Sequence, residues 1–190
     1  MPKTLMGKGK GHFIAHLLRG ALVIGIILSF IQGKGDHALF LILGLAGSGI
    51  IYYVTSSWIQ GIGEWMDVLF ALLVVFDTLL GVGLGFYNNI PGWDVATHYT
   101  TSLFLGVGAL LLLERAYPAM LFQTKKELVV MAMVLFSLGI GGLWEISEFW
   151  ADYFFNTSSQ ISLTNTMQDL MVDGIAGGVV GILWVGQRRE

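Results

Sequence analysis

Six long apolar segments follow one another along this 190-residue chain, and they constrain its fold more than any other feature. A helix that crosses the hydrocarbon core of a membrane needs about 20 mostly apolar residues, and each segment is about that long. The sequence therefore predicts an all-α, polytopic membrane protein, a single-domain bundle (1–190) of about six transmembrane helices. The expected spans are about 12–32, 37–58, 64–87, 93–114, 127–151 and 164–186.

Composition agrees with a membrane protein and excludes several kinds of site. Hydrophobic residues make up 55% of the chain and charged residues 12%, about half of the roughly 25% typical of soluble domains. The mean hydropathy is +0.72, and the 26 glycines suit close packing of helices in lipid. Since the chain has no cysteine, disulfides, Cys-zinc sites and thiol nucleophiles are excluded.

Basic residues are distributed unequally between the two ends of these segments. In membrane proteins, Lys and Arg accumulate on the cytoplasmic side of short loops. One side holds Lys34, whereas the side that carries both termini holds Lys3, Lys8, Lys10, Arg19, Arg115, Lys125, Lys126, Arg188 and Arg189. We therefore expect a multi-pass protein of the cytoplasmic (inner) membrane with both termini in the cytoplasm.

The acidic residues of the last three spans lie at the opposite, extracytoplasmic end. Within each span they are three or four residues from a polar neighbour, so each set occupies one face of its helix. At about 1.5 Å per residue, His98 and Asp173 lie roughly 8 to 14 Å inside their helix ends. Gly177 and Gly181 continue the face of the sixth span and predict a close neighbouring helix there. The three sets are Asp94 and His98; Glu145, Glu148 and Asp152; and Asp169 and Asp173.

This convergence places five carboxylates and one imidazole in a half-membrane site without a Lys or Arg. A buried, unpaired carboxylate is costly, so the charge must be compensated by protonation, by water in a vestibule or by a cation. Carboxylate oxygens with one imidazole nitrogen suit a divalent ion such as Mg, Mn, Zn or Fe. We expect a metal site with Asp94, His98, Glu145, Glu148, Asp169 and Asp173 as ligands, and Asp152 at its solvated rim.

Two further polar features lie outside this site. Asp77 is near the centre of the third span, where an acid is costly and generally partnered, so it is a candidate functional residue that could reach toward Asp173. His12, His16 and Arg19 share one face at the cytoplasmic end of the first span, which predicts snorkelling toward lipid phosphates. Candidate protein partners for this basic face are Glu64, Asp67 and Glu114.

Three motifs resemble a known family. "WDVATHY" (93–99) with Glu114 closing the helix, "WEISEFW" (144–150) and "TNTMQDLMVDGIAG" (164–177) occur in the order and spacing of the YjdF-like integral membrane proteins. More distantly, the layout is similar to VanZ-like proteins. The resemblance implies a small multi-helix membrane fold and adds Thr166 to the site, but it implies no reaction.

Three functions remain open at this stage. The first is a metal-dependent enzyme acting on lipid or isoprenoid head groups, with Glu145 or Glu148 as general base and His98 as ligand or acid. The second is a proton- or cation-coupled transporter that uses Asp77 and Asp173, and the third is a non-catalytic accessory protein of the membrane. We expect membrane lipids as partners and no nucleic acid, and we leave open whether the chain forms a homo-oligomer.

Overall fold

All secondary-structure elements in the computed structural model, which describes residues 10–58 and 63–187, are helices. Five helices in this part of the chain are long and apolar enough to cross a membrane, and the second helix contains a shorter apolar stretch, His37–Tyr53. These helices confirm the predicted all-α, polytopic membrane architecture. The long elements are α1 (Lys10–Ile31), α2 (Gly35–Trp58), α3 (Gly63–Val74) with a π-helix (Val75–Gly83), α5 (Trp93–Ala116), α7 (Lys126–Phe155) and α8 (Leu163–Gln187); the short ones are α4 (Phe86–Asn89) and α6 (Pro118–Gln123).

The third helix forms one candidate span, Gly63–Gly83, as its apolar pattern predicts, but its geometry changes along its length. It changes from α- to π-helical at Val75 and ends at Gly83. Gly85 then adopts a left-handed conformation (φ +75°), which glycine reaches without steric cost, and the short α4 follows. The helix therefore ends about one turn before residue 87, because backbone conformation and not hydropathy decides its end.

The chain forms two compact units, unit 1 (Met1–Trp93) and unit 2 (Asp94–Glu190). The single domain expected over 1–190 remains a prediction. Several residues on which the predicted orientation depends lie outside the described part of the chain. These are Lys3, Lys8, Arg188, Arg189 and most of the connection at residues 60–63.

In unit 1, a buried ion pair joins α1 to α3. The Arg19 guanidinium donates hydrogen bonds to both carboxylate oxygens of the fully buried Asp67, and also to the Ser48 carbonyl oxygen of α2 at 2.7 Å. The His12 Nδ1 atom lies 2.8 Å from Asp67 Oδ2, and Tyr52 packs beside Arg19. Of the partners that the sequence offers for Arg19, the structure shows Asp67, which holds this side chain inside the helix packing and away from lipid phosphates.

In unit 2, α7 and α8 form the closest backbone pair, and α5 contacts them through side chains. A methyl group placed on Gly177 would lie 2.4 Å from the Met133 carbonyl oxygen, and one placed on Gly181 would lie 2.8 Å from the Val130 Cα. These glycines permit the close approach of α7 that their spacing predicts. The cytoplasmic half predicted for this unit is filled by an apolar cluster of Leu110, Leu121, Val129, Met133 and Val180.

Substitution of Gly177 by alanine tests this close packing. The added methyl group would press on the Met133 backbone and the Ser137 hydroxyl, so we expect the free energy of unfolding to fall by about 1–3 kcal/mol. Gly139→Ala is the matched control, because nothing lies within 4 Å of its added methyl group. Reversible unfolding of the purified protein in detergent measures both variants, and equal stabilities would contradict the packing described above.

Candidate metal site

The polar residues of unit 2 lie at the end where α5 and α8 begin and α7 finishes. Each of these helices carries a row of polar and small residues at four-residue spacing. The buried members of these rows belong to the face that each helix presents to the others. The rows are Asp94, His98, Ser102 and Gly106 on α5; Ser137, Gly141 and Glu145 on α7; and Asn165, Asp169, Asp173, Gly177 and Gly181 on α8.

Asp94, His98 and Asp169 form the centre of this polar region. One ligand atom from each of the three lies within 4.8 Å of the other two. The Asn165 amide nitrogen donates hydrogen bonds of 2.8 Å to both Asp94 and Asp169, and thereby ties the start of α5 to α8. Two ligands on opposite sides of an ion with bonds of about 2.1–2.4 Å are about 4.2–4.8 Å apart, so one ion could contact all three residues.

Asp173 lies behind His98 and fixes its ring. The Asp173 Oδ2 atom is 3.2 Å from His98 Nδ1, and the Ser102 hydroxyl donates a hydrogen bond of 2.6 Å to Asp173 Oδ1. A methyl group on Gly141 would lie 1.9 Å from Asp173 Oδ2, so glycine at this position makes the space for the carboxylate. Orientation of a histidine by a carboxylate on one nitrogen is the usual arrangement when the other nitrogen binds a metal.

Glu145 lies near the other ring nitrogen, Nε2, of the same imidazole. Its Oε1 atom lies 3.7 Å from His98 Nε2, which is too long for a hydrogen bond but close to the separation, about 3.4 Å, of two ligands on one tetrahedral ion. The Thr166 hydroxyl donates a hydrogen bond of 2.6 Å to Glu145 Oε2. Gln160, in the connection between α7 and α8, donates from its side chain to Thr166 at 3.3 Å.

The two remaining acids of α7 lie closer to the helix end. Glu148 is half-buried and accepts a hydrogen bond of 2.9 Å from the Trp144 indole of its own helix. Asp152 accepts hydrogen bonds from the Thr157 hydroxyl (2.5 Å) and from the backbone N–H groups of Ser159 (2.7 Å) and Gln160 (3.0 Å). The sequence predicts Asp152 as a solvated residue at the rim of the site. In the structure, this carboxylate is bonded to the connecting loop.

Asp77 belongs to unit 1 and lies in the π-helical segment. It accepts a hydrogen bond from the Tyr87 hydroxyl just beyond the helix break. The predicted relay between Asp77 and Asp173 stays a prediction, since these residues belong to different units.

Negative charge in the site is not compensated by basic side chains of unit 2. Among the described residues, Arg115, Lys125 and Lys126 are its Lys and Arg residues, and all three lie at the other ends of their helices. At about 1.5 Å per residue, Arg115 is about 25 Å from His98 along α5. Asp169 is fully buried, and its Oδ1 atom has no hydrogen-bond partner in the described structure. Buried carboxylate oxygens without a donor are uncommon in native proteins, and a bound ion is one of the groups that account for them.

Sequence reasoning missed Asn165, Ser102 and Gly141. Asn165 precedes Asp169 by four residues, and Ser102 follows His98 by four, so both extend rows that were already visible. An extension of the four-residue spacing to neutral polar residues would have found them. Gly141 gives no such signal, because its role depends on which residue of α8 faces it.

Comparison with known proteins places the chain in a family. The model of the family described as "Predicted membrane protein (DUF2238)" matches residues 14–190, which include the whole polar region of unit 2. A protein of Thermotoga maritima, named "Uncharacterized protein", is 25% identical over 177 residues, which cover 89% of this chain and 87% of the relative. No solved structure matches, and the distant VanZ-like resemblance has no support in these comparisons. Because the family model covers nearly the whole chain, the protein belongs to the DUF2238 family of predicted membrane proteins.

Proposed function

We propose that unit 2 binds one divalent cation through Asp94, His98 Nε2 and Asp169, with Glu145 as a fourth ligand. The observation that carries the proposal is the state of Asp169. This residue is fully buried in a cluster of acids, and its Oδ1 atom has no hydrogen-bond partner among the described residues. A bound cation would compensate the negative charge of the cluster and would also contact the unpartnered Oδ1 atom of Asp169. Mixed oxygen and imidazole ligands suit Mg, Mn, Zn or Fe.

The remaining predicted ligands take other roles in this proposal. Asp173 orients His98 from behind, since it is bonded to the imidazole and to Ser102. Thr166 orients Glu145. Glu148 is the general base, because it lies about one turn nearer to the helix end than Glu145 and accepts a hydrogen bond from the Trp144 indole of its own helix. The ligand set is thus smaller than the six residues that spacing alone predicts.

We propose further that the protein is a metal-dependent enzyme of the cytoplasmic membrane that acts on lipid or isoprenoid head groups. The unequal distribution of Lys and Arg between the loops supports an extracytoplasmic position of the site. The order of the three motifs supports a relationship to the YjdF-like proteins. The transporter alternative has less support in unit 2, where the apolar Leu110, Met133 and Val180 pack beyond the polar rows. The alternative of a non-catalytic accessory protein does not explain why the buried Asp169 oxygen has no hydrogen-bond partner among the described residues.

Binding of Mn²⁺ to the purified protein in detergent tests the metal site. We expect one ion per chain by titration calorimetry, with about hundredfold weaker binding in Asp94→Asn, which loses a proposed ligand. Glu127→Gln is the matched control, because Glu127 is an exposed carboxylate in the first turn of α7, at the other end of that helix. Equal affinities of wild type and Asp94→Asn, or no binding by wild type, would refute the site.

A further inference from the structure

The charge of the site restricts what it can bind besides the metal ion. Four carboxylates belong to the bonded cluster around His98, and one divalent ion compensates two of their charges. With these four carboxylates ionised, the metal-loaded site is negative for either protonation state of His98. The members of this cluster are Asp94, Glu145, Asp169 and Asp173. Placing like charges together costs several kcal/mol, so a phosphate group is disfavoured there.

Three side-chain donors that lie beside the proposed ligands are already in use. The Asn165 amide bridges two carboxylates, the Thr166 hydroxyl bonds to Glu145, and the Ser102 hydroxyl bonds to Asp173. Apart from a metal ion, phosphate recognition in proteins relies on Arg and Lys side chains or on several free N–H donors. The described residues around this site offer carboxylate acceptors instead, which suits a substrate that carries no negative charge.

The depth of the site agrees with the same class of substrate. The 24 residues of α5 extend about 36 Å, so a centred helix passes about 3 Å beyond each side of a hydrocarbon core of about 30 Å. His98 lies five residues from the start of α5, about 8 Å along the helix and thus about 5 Å inside that core. Lipid phosphates lie outside the core, whereas the ester carbonyl groups of acyl chains lie at its boundary.

We infer that the metal-loaded site accepts the uncharged ester carbonyl group of a membrane lipid and excludes phosphate, an inference that rests on the metal site of the proposed function. Hydrolysis forms a bond from a water oxygen to the carbonyl carbon and breaks the bond from that carbon to the alkoxy oxygen. The Glu148 carboxylate takes one proton from the water and returns it to the departing alkoxy oxygen, so water is the sole co-reactant. A divalent ion supplies polarisation of the carbonyl oxygen.

Two probes with the same alkyl chain separate the substrate classes. The Mn²⁺-loaded full-length protein in detergent is titrated with octanohydroxamic acid, which is uncharged when free, and with octylphosphonic acid, which is anionic. For each probe, the affinity for the Mn²⁺-loaded protein is divided by its affinity for free Mn²⁺. We expect this ratio to be at least tenfold higher for the hydroxamic acid than for the phosphonic acid.

The reaction is tested in vesicles of phosphatidylethanolamine and phosphatidylglycerol that contain the Mn²⁺-loaded protein. Release of fatty acid by wild type and its loss in Glu148→Gln support the inference. Equal or tighter phosphonate binding, or no fatty acid released by the Mn²⁺-loaded protein, would overturn it and leave the metal site standing. Absence of Mn²⁺ binding by wild type would instead overturn the proposed function itself.

Discussion

Asp169→Asn is expected to weaken Mn²⁺ binding at least hundredfold while leaving the metal-free protein as stable as wild type, or more stable. The substitution removes a proposed ligand, and it also removes a fully buried negative charge that repels its acidic neighbours. In wild type, an ion at a hundred times its dissociation constant stabilises the folded state by about 2.7 kcal/mol. Thermal unfolding with and without Mn²⁺ should show this rise in wild type and lose it in Asp169→Asn.

Asp173→Asn is the comparison that distinguishes a ligand from a positioning residue. Asp173 bonds to His98 and Ser102, so its loss should weaken binding about tenfold and keep one ion per chain. If Asp169→Asn unfolded more easily without metal and bound Mn²⁺ as wild type does, the acids would only stabilise the helix packing. If both variants lost binding equally, Asp173 would be a ligand as well.

Arg19→Met is expected to destabilise the protein by about 3–5 kcal/mol, the largest effect that we predict for stability. The substitution leaves Asp67 fully buried with His12 in place of a permanent cation. It also leaves the Ser48 carbonyl oxygen without the Arg19 donor. Chemical unfolding of purified wild type and variant in detergent measures the difference in the free energy of unfolding.

The double variant Arg19→Met, Asp67→Leu provides the control. Replacement of both members of a buried ion pair by apolar residues is often neutral, so most of the lost stability should return. If Arg19→Met alone changed the free energy of unfolding by less than about 1 kcal/mol, Arg19 would be solvated or bound to lipid, as its position at a helix end predicts.

Hydropathy and four-residue spacing predict much of this molecule. Apolar segments indicate the helices because the membrane requires a minimum length, and the acidic rows indicate one face of each helix because an α-helix repeats nearly every four residues. The π-helix at Val75–Gly83 is not predictable in this way, because its residues are as apolar as those of the α-helix before it. Its neighbours, including Gly85, decide where the helix stops.

Spacing also fails where two residues have the same pattern and different surroundings. Asp169 and Asp173 both lie on one face of α8, yet one has an unpartnered oxygen and the other is enclosed by Ser102, His98 and Gly141. The two acids differ in their surroundings only because of how α5 and α7 pack against α8. Arg19 illustrates the same limit, because a basic residue near a helix end has one sequence pattern whether lipid or Asp67 receives it.

The bonds of the loop after α7 decide where a reporter group can be attached. Residues 156–162 are tied to Asp152 at one point and, through Gln160 and Thr166, to Glu145 at another. A fluorophore or spin label on this loop therefore lies within a few bonds of the ion that we propose, and its signal should change when Mn²⁺ is added. A label at residues 124–125, between α6 and α7 at the other end of unit 2, is the silent reference for the same measurement.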